Sequence, residues 1–100
     1  MSMNQPVSDE GRLSREVEIC NTRGLHARAS ARFVKCAEGF NADIQVSKDG
    51  QTVGGTSIMG LMMLAASTGS RITISATGLE AEQALDSLEQ LICDRFGEED

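Results

Sequence analysis

His26 is the single histidine of the chain, set in Thr22-Arg23-Gly24-Leu25-His26-Ala27-Arg28-Ala29-Ser30, where a strand pattern gives way to a helical one. A neutral imidazole is a competent nucleophile toward a phosphoryl group. Placed at or just before the first helical turn, it would lie among free backbone N–H groups at the positive end of the helix dipole. That position favours bound anions, and it favours the neutral imidazole over imidazolium. The N–H groups of Ala27 and Arg28 are then candidate phosphate contacts, and the Arg28 guanidinium is suited to pair with a bound phosphate. No Asp or Glu occurs between Glu18 and Glu38, whereas Arg23, Arg28, Arg32 and Lys35 all fall there. The competing reading is that a lone histidine near a helix start is an exposed cap residue and nothing more.

A second stretch, Gly55-Thr56-Ser57-Ile58-Met59-Gly60-Leu61-Met62-Met63-Leu64, bears on that choice. Ser57 is suited to cap a short hydrophobic helix running to about Ala66. No acidic residue occurs from Gly50 to Leu79, so the His26 and Ser57 segments together suggest one docking face. Arg23, Arg32, Lys35, Ile58, Met59 and Met62 are its candidate partner-binding residues, the methionines offering adaptable apolar contact. Core packing is the alternative for the methionines, Met63 above all.

The two stretches, in this order and at this separation, resemble the HPr family, the histidine phosphocarriers of the bacterial phosphoenolpyruvate-dependent phosphotransferase system. That family carries Gly-Leu-His-Ala-Arg-Pro-Ala around its phosphorylated histidine and Lys-Ser-Ile-Met-Gly-Val-Met around a regulatory serine. The resemblance spans roughly Leu13 to Phe96. It implies that His26 accepts a phosphoryl group from phosphorylated enzyme I and passes it to enzyme IIA components, for sugar uptake or its regulation. It also implies that Ser57 is a target of HPr kinase/phosphorylase. Such a protein is a cytoplasmic carrier with a covalent phosphohistidine rather than an independent enzyme. Ala29 stands where the family usually has proline, and Thr56 where a lysine often precedes the serine, while Met63 replaces a small residue. The last two changes bear on kinase recognition more than on carrier activity. The alternatives are a mainly regulatory paralogue in a nitrogen-related phosphotransferase branch, or a small-ligand-binding module of the same architecture.

The elements that must position His26 follow from hydrophobic period. Leu13 to Thr22 alternates as a first strand, and a helix follows to about Glu38, with Ala27, Ala31, Val34 and Cys36 facing inward and Gly39 suited to a left-handed cap. Ala42–Ser47 and Gln51–Val53 read as strands joined by the hairpin signal Lys48-Asp49-Gly50. Arg71–Thr77 is a fourth strand, and Glu80–Phe96 a helix whose stripe is Ala81, Ala84, Leu85, Leu88, Leu91 and Ile92. The order βαββαβα with half-buried strands predicts an α/β (α+β) open-faced sandwich, a four-stranded antiparallel sheet with helices packed on one face. The HPr family has that architecture. Residues 1–12 read as a disordered extension, 13–96 as the domain, and 97–100 as an acidic tail expected to fray.

Composition narrows the function classes. A net charge of −6, a pI near 4.7 and the absence of Trp and Tyr argue against a nucleic-acid binder. Nothing approaches a membrane span in length, so no direct membrane insertion is expected. Cys20, Cys36 and Cys93 form no C-x-x-C pair or His-Cys cluster, which suggests free thiols in a reducing compartment and no metal site. No cofactor is implied, and nothing demands more than a monomer.

Overall fold

The computed structural model describes residues 11–98. Its elements are β1 (Leu13–Glu18), α1 (Ala27–Ala37), β2 (Asp43–Lys48), β3 (Gln51–Gly54), α2 (Ile58–Met63), β4 (Arg71–Thr77) and α3 (Ala81–Cys93). The strands form one four-stranded antiparallel sheet in the order β1-β4-β2-β3, giving the α+β open-faced sandwich that the residue pattern predicts. Val17 faces Ile72 across the β1–β4 pair and Val46 faces Ile74 across the central β2–β4 pair. The dry face of the sheet is therefore a band of β-branched side chains, which the helices cover. The hairpin between β2 and β3 turns on Asp49 and Gly50, both with positive φ, as a two-residue loop of the primed class requires.

The helices bury the faces that their largest apolar residues select. In α3 these are Ala81, Ala84, Leu85, Leu88 and Ile92, with Leu91 packed at the edge. Arg15 on β1 pins that helix from outside, donating to Asp86 at 2.5 Å and to Glu89 at 3.0 Å. In α1 the buried face is Ala29, Ser30, Phe33, Val34 and Ala37. Ala27 and Ala31, expected to face inward, are exposed, because fully buried Phe33 sets the phase of the helix and turns them to solvent.

Four element ends differ from the sequence expectation. Strand β1, expected to reach Thr22, ends at Glu18. Gly39 does not take the left-handed cap conformation: Glu38, with φ −67°, ends α1 by donating its N–H to the Val34 and Cys36 carbonyls. Helix α2 stops at Met63, short of Ala66, because Ala65 adopts φ 54°. Helix α3 ends at Cys93 rather than Phe96, and Arg95, Phe96 and Gly97 follow with φ of 56°, 55° and 76°, a left-handed turn. Phe96 is nonetheless 1% exposed, so burial of its ring offsets the backbone cost.

Contacts at both ends bear on the proposed domain margins. Residues 1–10 of the expected extension lie outside the described residues. Arg12 is part of the folded unit, its guanidinium reaching Ser75 Oγ at 2.9 Å and Asp43 at 3.3 Å. At the other end Glu98 is hydrogen-bonded to Asn21 and His26, and residues 99–100 of the expected tail lie outside the described residues.

Candidate functional site

The loop that delivers His26 is built on a close approach of two backbones. Gly24 has φ +67°, and a Cβ there would lie 2.4 Å from the Ala66 carbonyl oxygen. Only glycine allows the loop to pass so near, and the proximity lets the Leu25 N–H donate to that same oxygen at 2.9 Å. Buried Leu25 and a bond from Ser30 Oγ to the Leu25 carbonyl fasten the loop to the first turn of α1.

His26 is the N-cap of α1, with extended backbone at φ −75° and ψ −178°. Its Nδ1 accepts from the Arg28 backbone N–H at 3.3 Å, and so carries a lone pair. A neutral imidazole has one acceptor and one N–H, which places the proton on Nε2. Nε2 donates to Glu98 Oε2 at 2.5 Å, an interaction only 18% exposed on the histidine side and 13% on the glutamate side. The ring is thus held at both nitrogens, with its lone-pair nitrogen turned to the helix N-terminus. The Ala27 N–H has no acceptor among the described residues.

Asn21 joins the two halves of this arrangement. It is fully buried, and its Nδ2 donates to the Gly24 carbonyl at 2.9 Å and to Glu98 Oε1 at 3.0 Å. Two acceptors identify that atom as nitrogen, which leaves Oδ1 without a partner among the described residues. Burial of Glu98 pushes its pKa up. Hydrogen bonds from Asn21 and His26, with the electrostatics of His26 and Arg23, outweigh burial and hold the carboxyl below its usual range.

Beside the imidazole a cleft of about 230 Å³ is lined by Arg23, Leu25, His26, Ala65, Ala66 and Ser67. The loop after α2 therefore forms its second wall. Arg28 is exposed, and its guanidinium has no partner among the described residues. Arg32 is committed differently: it donates to the Phe96 carbonyl and so holds the C-terminal turn. Lys35 is exposed in the last turn of α1. On α2, Ser57 Oγ accepts from the Gly60 N–H at 3.0 Å, which makes it the N-cap. Ile58, Met59 and Met62 are 40%, 70% and 39% exposed, and Met63 is 66% exposed, which removes the core reading for that residue.

Two residues of the site, Asn21 and Glu98, had no place in the sequence reading. Asn21 could have been flagged as a polar residue closing an apolar strand. Nothing local distinguishes Glu98 from the other acids of the C-terminus.

The family model described as the PTS HPr component phosphorylation site matches residues 13–94. The chain belongs to the HPr family. A phosphocarrier protein HPr from Cupriavidus necator is 45% identical over 86 residues, covering 86% of this chain and 97% of the relative. A phosphocarrier protein NPr from Shewanella violacea is 37% identical over 87 residues, covering 87% and 96%. The crystal structure of HPr-C-His from Thermoanaerobacter tengcongensis superposes with a TM-score of 0.83 at 44% identity, over 87% of this chain and 98% of that one. As a member of the HPr family the chain is a phosphocarrier of the phosphotransferase system. No helix among the described residues is long and apolar enough to cross a membrane.

Proposed function

We propose that His26 is the residue that carries the phosphoryl group, on Nδ1, taking it from phosphorylated enzyme I and yielding it to enzyme IIA components in the cytoplasm. The observation that carries this reading is the Nδ1 lone pair held at the N-terminus of α1 by the Arg28 N–H. Phosphoryl transfer is governed by alignment and charge stabilisation. Once Nδ1 bonds phosphorus, the Arg28 N–H loses its acceptor there and turns to a phosphoryl oxygen, joined by the Ala27 N–H. The Arg28 guanidinium, unpaired among the described residues, supplies a cation to the same group.

Exposed Ile58, Met59, Met62 and Met63, continuous with the cleft through the loop after α2, form the apolar part of the docking face. Arg23 and Lys35 give it a cationic margin. Ser57 lies at the edge of that face, and its phosphorylation would add roughly −1.5 to −2 charges there, repelling an incoming phosphoryl group without refolding. The NPr relative favours a second reading, in which phosphorylation of His26 serves regulation rather than sugar uptake. Transfer onward to a transport-linked enzyme IIA separates the two.

The test is intact mass after incubation with phosphoenolpyruvate, Mg²⁺ and enzyme I. One acid-labile phosphate on the parent and none on folded His26→Ala is the expected result. A phosphate on His26→Ala, or none on either protein, would overturn the assignment.

A further inference from the structure

Glu98 lies outside residues 13–94, the stretch that the family model matches. Its position is nonetheless specified by several independent contacts. Arg95 and Phe96 adopt left-handed conformations that side chains other than glycine rarely take. Phe96 is sealed in the core, and Arg32 holds its carbonyl. Buried Asn21 then takes one carboxylate oxygen of Glu98, leaving the other against His26 Nε2 at 2.5 Å. Backbone strain maintained by a buried ring, a guanidinium and a buried amide, and ending in one bond to the reactive ring, is the pattern expected of a functional constraint.

We infer that Glu98 is a positioning residue for phosphoryl transfer: it accepts the Nε2 proton of His26, fixes the ring with Nδ1 as the nucleophile, and opposes the positive charge the ring acquires. This rests on the phosphocarrier reading above. In the step, the Nδ1 lone pair attacks phosphorus and the Nδ1–P bond forms. The bond from phosphorus to the donor's leaving atom breaks, and its electron pair departs with the donor. Nε2 keeps its proton throughout, so the phosphorylated ring gains a formal positive charge, facing the ionised Glu98 carboxylate on the ring edge away from the phosphoryl group. When the group moves on, the electron pair of the Nδ1–P bond returns to Nδ1 and the ring is neutral again. The carboxylate thus does for this imidazole what outer carboxylates do for metal-bound or triad histidines, where they select the tautomer and stabilise the charged ring.

The opposing effect is repulsion between the carboxylate and an incoming dianionic phosphoryl group. Its contacts with Asn21 and His26 and the nearby Arg23 cation offset that repulsion. The orienting role therefore dominates, and the sign of the change on removing Glu98 decides between the two.

The experiment compares the parent, Glu98→Gln and Glu98→Ala by ¹⁵N NMR of labelled His26, and by the rate of loading from phosphorylated enzyme I. At a pH where the imidazole is neutral, the parent shows the Nε2–H tautomer alone. Glu98→Ala gives a tautomer mixture and loads about tenfold more slowly, the scale on which outer partners of histidines act. Glu98→Gln, whose amide oxygen can still accept the Nε2 proton, retains the tautomer but loses the countercharge, and loads at a rate between the other two. A purely structural role would leave the tautomer signal unmoved in folded protein. An unchanged tautomer, an unchanged loading rate, or faster loading in Glu98→Ala overturns the inference while the parent still loads. A parent that takes no phosphate from active enzyme I refutes the phosphocarrier reading itself and the inference with it.

Discussion

Replacing Gly24 by alanine tests whether the approach of the site loop to the loop after α2 is what holds His26 in place. An L side chain at φ +67° costs about 1–2 kcal/mol. The added Cβ would also lie 2.4 Å from the Ala66 carbonyl oxygen and 2.9 Å from the Ser67 Cα, both backbone atoms with no rotamer to yield. Relieving that overlap costs about 1–3 kcal/mol. Moving the loops apart stretches the Leu25–Ala66 hydrogen bond, worth about 0.5–1.5 kcal/mol. The sum is roughly 2.5–6.5 kcal/mol, a large share of the roughly 5–15 kcal/mol that stabilises a domain of this kind. Gly50→Ala is the internal control: its φ is +84° but nothing lies within 4 Å of the added Cβ, so only the conformational cost of about 1–2 kcal/mol applies. Urea unfolding of the two variants should show Gly24→Ala less stable than Gly50→Ala by about 1.5–4.5 kcal/mol. Phosphate loading, measured where both remain folded, should be slowed only in Gly24→Ala, because Leu25 and His26 move with the loop. Equal losses of stability would refute the close-approach argument.

Three further outcomes are expected. The stabilising contribution of Glu98 arises from a carboxyl held below the ordinary value of 4.5, so it is complete above that value and is lost as pH falls through the lower folded value. The unfolding free energies of the parent and Glu98→Ala should therefore differ at neutral pH and converge in acid, and a gap independent of pH would contradict this. Ser57→Ala should lose about 1 kcal/mol of stability with its cap, whereas Ser57→Asp keeps a capping oxygen and stability but loads more slowly; equal loading of Ser57→Asp and parent would remove the charge-switch proposal. Burial raises the pKa of Cys36 while Cys20 and Cys93 are exposed, so mass-resolved alkylation of native protein should modify Cys36 last.

The element order was legible because each segment repeats its own period. Ile44 and Val46 alternate at two, the α3 stripe returns at three and four, and Asp49-Gly50 marks the hairpin. The place of His26 at a helix start was equally readable, from the strand pattern before it and the helix formers after it. The phase of α1 was not, since Ala27, Ala31 and Val34 share a helical spacing that fits a second apolar face. Only packing shows that the bulk of Phe33 decides between the two faces. The ends of α2 and α3 escaped for a different reason. Ala65, Arg95 and Phe96 take left-handed conformations that local propensity disfavours, so tertiary contacts impose what no short stretch announces. Glu98 was lost with them, because the destination of a charged terminal residue depends on that turn.

Asn21 explains why stability and chemistry are coupled at this site. A single buried amide bonds both the Gly24 carbonyl, in the loop that carries His26, and the carboxylate that meets the ring from the C-terminal side. Loosening either partner leaves buried polar groups unpaired, so the loop and the C-terminal turn hold or fail together. The surface around them is built oppositely: the Arg28 guanidinium is unpaired among the described residues, and Met59, Met62 and Met63 are exposed on flexible stems. On the proposed carrier reading, that division suits a residue which must meet unlike partners with one reacting atom. Alignment of Nδ1 comes from the fold before any partner arrives, and adaptation is left to the side chains that touch the partner. A partner complex then needs no reorientation of the ring, only a cation and an apolar face that can conform to it.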